Sequence, residues 1–139
     1  MKKKINTILL VDDDDIINYL NKIIITRMDI AEHIESVRSG DMALNYLKKI
    51  IKEKVNDYPD LILLDINMPK MDGWQFLEAY KNMKHELLKQ PIIVMFTTSM
   101  NPDDREKAKH IVEVAGFKCK PLTENLLREL IQEFPELTS

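Results

Sequence analysis

The chain has 139 residues, 45% hydrophobic and 31% charged, with a formal net charge of −3. That length suits one domain with a sizeable core, and the composition is that of an ordinary globular chain rather than a disordered one. The mild negative charge argues against nucleic acid as the main partner, since a phosphate backbone demands a basic footprint, and no run approaches the ~18 apolar residues of a membrane span.

The amino terminus, MKKKINTILLV, is basic and then apolar in the manner of a secretory leader. Its apolar part is too short, and aspartates stand where small residues would mark a cleavage site. It reads as a lysine-tipped entry into a first strand over 5–11, apolar throughout as a strand covered on both faces should be. Ile16, Leu20, Ile23 and Ile24 then recur at helical spacing from Asp15 to about Arg27, with Asp14 or Asp15 placed to cap the start. HIESV (33–37) alternates and predicts a short strand. A helix follows from about Asp41 to Lys54, apolar at Leu44, Leu47 and Ile51, with Lys48, Lys49, Lys52 and Lys54 as a solvated face.

LILLD (61–65) predicts a third strand, and Pro69 and Gly73 punctuate the loop after it. Gly73 suits a positive φ or a tightly packed backbone. Asp72 is placed to cap a third helix that carries Trp74, Leu77 and Tyr80. PIIVMFT (91–97) predicts the fourth strand. Asn101 and Pro102 open a helix through Ala108, Ile111 and Val112, proline being tolerated in a first turn where its missing N–H costs little. GFKC (116–119) predicts the fifth strand, and Leu126, Leu127, Leu130 and Ile131 the last helix. Cys119, the lone cysteine, excludes an internal disulfide, fits a reducing cytoplasm and reads as a small buried hydrophobe. His33, His85 and His110 sit in unrelated segments and read as surface or filler residues. Met68, Met71, Met95 and Met100 read as gap fillers.

Strand and helix thus alternate along the whole chain, with no internal repeat and no linker. Strands separated by helix-length segments pair in parallel through right-handed crossovers, giving an α/β sheet covered on both sides. Ligands of such sheets bind beyond the carboxyl ends of the strands. The residues just past those ends are Asp12 and Asp13, then Arg38 and Ser39, then Asp65, Thr97 and Lys120. The pattern predicts a crevice of three carboxylates, a hydroxyl and an ammonium. Three such carboxylates stay ionised together only beside a counter-charge, which a hard, oxygen-seeking cation such as magnesium supplies. A lysine on the other side adds a second positive charge, so the crevice suits a further anion. An aspartate can itself accept a phosphoryl group as an aspartyl phosphate, with cations stabilising the transferring oxygens.

LLVDDD, LLDINMPKMDGWQFL, TTS and KPLT, in that order and at those separations, resemble the receiver domain of two-component response regulators. The resemblance covers roughly Ile5 to Phe134. It implies a flavodoxin-like (βα)5 doubly wound fold, with five parallel strands in the order 2-1-3-4-5. It implies that Asp65 is the phosphoacceptor. Asp12 and Asp13 match the acidic pair, Asp13 the more direct metal ligand and Asp12 holding water of the cation's shell. Asn67 would offer its backbone carbonyl to the metal, which is Mg2+, with Mn2+ able to substitute. Thr97 matches the switch hydroxyl, Lys120 the lysine on the phosphoryl oxygens, and Phe117 the aromatic whose rotamer follows the threonine. Three features depart from the usual pattern. Phe117 stands where many receivers carry tyrosine, Thr98 is bulkier than the usual alanine or serine, and the segment 50–60 is a little long. Asn67 and Ser99 occupy the positions that tune dephosphorylation.

The expectation is a stand-alone receiver in the cytoplasm, one domain over 1–139 without an output domain, monomeric or weakly dimeric. It takes its phosphoryl group from a sensor histidine kinase or a histidine phosphotransfer protein and signals to a protein target, with no nucleic acid or membrane partner. It is not an enzyme beyond assisting its own phosphorylation and slow dephosphorylation. Two other readings stand beside it: an aspartate-nucleophile phosphohydrolase acting on small molecules, and a scaffold signalling without phosphate. The hydrolase reading expects an acid two residues past the nucleophile, where this chain has Asn67.

Overall fold

A computed structural model of the chain describes residues 3–53 and 58–139. The five expected strands are present as β1 (Ile5–Val11), β2 (Ala31–Val37), β3 (Leu61–Leu64), β4 (Ile92–Thr97) and β5 (Val114–Cys119). Five helices alternate with them: α1 (Asp15–Met28), α2 (Gly40–Glu53), α3 (Gly73–Met83), α4 (Pro102–Lys109) and α5 (Glu124–Glu133). All pairings are parallel, in the order β2-β1-β3-β4-β5, which is the expected fold.

Successive strand residues point to opposite faces, so the central strands split their side chains between two cores. Leu9, Val11, Ile62, Leu64, Ile93 and Met95 face α2 and α3, where Leu44, Leu47, Phe76 and Leu77 meet them. Ile8, Leu10, Leu61, Leu63, Val94 and Phe96 face Ile25 of α1 and Leu127 and Leu130 of α5. Burying each such side chain stabilises by roughly 1.5–3 kcal/mol. That double burial is why these strands read as unbroken apolar runs.

Several expectations are corrected. The inward residues of α1 are Asn18, Asn21 and Ile25, whereas Ile16, Leu20 and Ile23 are exposed together with Tyr19. Helix α4 stops at Lys109, because His110 and Ile111 close it with a turn, and Val112 projects into solvent at 89% exposure. β2 and β5 each begin two residues earlier than expected. Cys119 is exposed, since it sits on the outer edge strand. Met100 is exposed, while Met68 and Met95 fill the core. The lysine face of α2 is solvated at Lys48, Lys49 and Lys52; Lys54 and the rest of 54–57 lie outside the described residues.

Candidate functional site

Each site residue is delivered to the carboxyl rim by the strand ladder. The Asp12 N–H donates to the Val37 carbonyl at 3.1 Å, the Asp65 N–H to Val11 at 3.0 Å, and the Lys120 N–H to Thr97 at 2.9 Å. Pairing therefore continues one residue past the regular strands and fixes three backbones that are distant in sequence. Carboxylate oxygens of Asp12, Asp13 and Asp65 come within 4.8 Å of one another. Lys120 closes the ring, its ammonium contacting Asp12 Oδ2 and lying 3.4 Å from Asp65 Oδ2. The side chains of Asp12 and Asp65 are buried, that of Lys120 is largely so, and Asp13 is the more open of the acids. Burial pushes the Asp65 carboxyl above the usual carboxylate range; the Lys120 charge opposes that rise and the neighbouring Asp12 adds to it.

Local hydrogen bonds aim these groups. Asp14 caps α1 through Ile16 N–H and Ile17 N–H, while its own N–H donates to Asp12 Oδ1 at 2.9 Å. Asp65 Oδ1 accepts from Ile66 N–H at 2.9 Å, leaving Oδ2 toward Lys120. Thr97 is fully buried, and its Oγ1 accepts the Ser99 N–H at 3.2 Å. Thr98 is exposed at the rim, lining a groove of about 300 Å³ with Ile17, Leu20 and Lys120. Asn67 is exposed in the loop two residues past Asp65. Phe117 lies within β5 opposite Met95, half-buried and back from the rim.

Asn18 escaped the sequence reading. It is 4% exposed and its Nδ2 donates to the Asp12 carbonyl at 2.8 Å, tying α1 to the acidic loop. The signal available was a polar residue one helical turn from Asn21 in a mostly apolar helix. Asp60 was also missed. It accepts from Asn6 N–H at 2.7 Å and pairs with Lys89 at 3.0 Å, ahead of β3 at the rim opposite the site.

Gly73 is explained by packing, since no glycine has a positive φ. A Cβ there would stand 2.5 Å from the Asp65 carbonyl oxygen and 3.0 Å from Ile66 Cα. Asp72 caps α3 with Gln75 in a reciprocal pair, and the Gly73 N–H donates to the Ile66 carbonyl at 2.8 Å. The helix thus abuts the backbone that carries Asp65. Gly73→Ala is expected to cost about 1–3 kcal/mol, because backbone atoms must yield. Denaturant unfolding measures it, and an unchanged midpoint would contradict the packing role.

The cluster offers hard oxygen donors and no thiolate or imidazole, the donor set that magnesium takes, with water completing its shell. Lys120, against Asp12 and Asp65, is the cation that the rim itself supplies.

The family model for the response regulator receiver domain matches residues 8–132. The chain is 32% identical over 129 residues to the probable methanogenesis regulatory protein FilR2 of Methanothrix harundinacea, covering 93% of this chain and 81% of that protein. It is 34% identical over 97 residues to response regulator Rcp1 of Synechocystis, covering 70% of this chain and 65% of that protein. Among solved structures, a two-component response regulator from Cytophaga hutchinsonii superimposes with a TM-score of 0.85 at 35% identity, covering 96% of this chain and 99% of that one. The chain belongs to the response regulator receiver family of two-component signalling.

Proposed function

We propose that the protein accepts a phosphoryl group on Asp65 from a phosphohistidine of a sensor histidine kinase or phosphotransfer protein. The observation that carries this is the meeting of Asp12, Asp13, Asp65 and Lys120 at one rim. An Asp65 carboxylate oxygen attacks phosphorus, the bond to the donor nitrogen or oxygen breaks with its electron pair leaving on the donor, and a mixed anhydride forms. Asp12, Asp13, Asp65 and the Asn67 carbonyl would hold Mg2+, which when bound neutralises charge on the transferring oxygens. Mn2+, another hard cation that suits carboxylate, carbonyl and water ligands, could substitute.

Lys120 faces the same oxygens from the opposite side and keeps Asp65 oriented. Thr97 turns its hydroxyl toward the new phosphoryl group and Phe117 follows, reshaping the surface of α4, β5 and α5 for a protein target. The change is a two-state population shift driven by local charge. In this reading the chain is a cytoplasmic signalling receiver, monomeric or weakly dimeric, and not a turnover enzyme.

Incubation with acetyl phosphate and magnesium tests it. The expected result is a mass gain of one phosphoryl group that chelation of the metal prevents. Rapid multiple turnover of phosphate esters would overturn it in favour of a small-molecule phosphohydrolase.

A further inference from the structure

Helix α4 is seated unlike the other helices. Of its eight residues only Ala108 is buried. A groove of about 180 Å³ separates Arg105, Ala108 and Lys109 from Val114, Gly116 and Phe117 of β5. Charged contacts supply what apolar packing does not. The Arg105 guanidinium lies over the Phe117 ring at 4.9 Å, and the Lys107 ammonium over the Trp74 ring of α3 at 4.5 Å. At the helix start, Asp104 accepts from Ser99 Oγ at 2.5 Å, and Ser99 N–H is the group bonded to Thr97 Oγ1. Two of the three contacts therefore end on the switch side chains themselves, Phe117 directly and Thr97 through Ser99.

We propose that Arg105 and Lys107 are positioning residues that hold α4 in its resting seat by capping Phe117 and Trp74, and that phosphorylation releases the helix by withdrawing Phe117 from Arg105. The proposal rests on the receiver reading and names how its signal leaves the site. A cation over an exposed ring biases an equilibrium by roughly two- to fivefold. Two such contacts are strong enough to favour the seated form and weak enough for one phosphoryl group to reverse. When the Thr97 hydroxyl turns toward the phosphoryl group it stops accepting from Ser99, which loosens the Asp104 contact at the same moment. An apolar seat would lack this reversibility, since withdrawing buried side chains into water costs far more.

Trp74 is the sole tryptophan, so its emission reports the Lys107 contact, and Arg105 touches Phe117 rather than Trp74. Full-length wild type, R105A, R105K and K107A are treated with acetyl phosphate and magnesium, following Trp74 emission and intact mass together. In wild type, emission should change with the rate constant of the mass gain. R105A should move emission part of the way before any phosphorylation and accelerate labelling roughly two- to fivefold; R105K should restore both. K107A should start at the emission of the phosphorylated wild type and change no further. The proposal is overturned if wild type is fully labelled with no change in emission, or if R105A matches wild type in emission and labelling rate. A wild type that gains no mass removes the receiver reading, and the helix grip falls with it.

Discussion

Asp65→Asn is expected to gain no phosphoryl mass under conditions chosen to label the wild type completely. The substitution keeps size and shape, and an amide oxygen at this position can still accept the Ile66 N–H that orients the side chain. What it removes is the charged nucleophile, and with it the acyl phosphate bond. The same change should raise Tm without divalent cations by something on the order of a few degrees. Asp65 is buried beside another carboxylate, and burial disfavours its charged form. Added magnesium should then stabilise wild type more than the variant, because ligand binding to the folded state adds stability in proportion to its affinity. Scanning calorimetry with and without the metal reads both thermal effects, and intact mass reads the first. A variant less stable than wild type in chelator would show that the Lys120 contact outweighs the cost of burying the charge.

Asp13→Asn and Lys120→Ala are expected to fail in opposite ways. Asp13 belongs to the oxygen set and is the more open of its members, so its loss should weaken magnesium binding by about tenfold or more. Lys120 is a cation set against Asp12 and Asp65. Removing it leaves the three acids more strongly negative, so magnesium affinity should hold or rise. Transfer should instead slow by roughly 10²–10³-fold, the usual loss when one preorganised partner of developing charge is deleted. Whatever phosphorylation remains should no longer move α4, because the oxygens that Lys120 would hold are left unanchored. Calorimetric titration with magnesium and the rate of mass gain separate the two variants. A loss of affinity in Lys120→Ala equal to that in Asp13→Asn would remove the distinction between ligand and charge partner.

The sheet and its rim were legible because parallel strands covered on both faces leave continuous apolar runs, and because the chemistry sits where those runs stop. LILL ending on Asp65 and TILLV ending on Asp12 are local patterns with a global meaning. Helix phase was harder to read. In α1 the apolar residues are numerous enough to line either of two faces, so periodicity alone did not choose. The rotation follows instead from the Asp14 cap and the Asn18 bond to the Asp12 carbonyl, polar contacts that spacing does not encode. The early end of α4 has a similar origin, since Ile111 and Val112 continue a helical spacing that the turn at His110 interrupts. Nothing in the spacing of the sequence singles out Arg105 and Lys107. Their rings, Phe117 and Trp74, come from other elements and meet them only in the folded chain.

The backbone N–H groups of Asp12, Asp65 and Lys120 all donate to carbonyls of a neighbouring strand. Accuracy at the rim is thereby inherited from the pleated ladder, whose spacing hardly depends on which side chains decorate it. The outer layers are left free to diversify: residues on the exposed flanks of α1, α4 and α5 can be exchanged for other recognition surfaces without detuning the chemistry they surround.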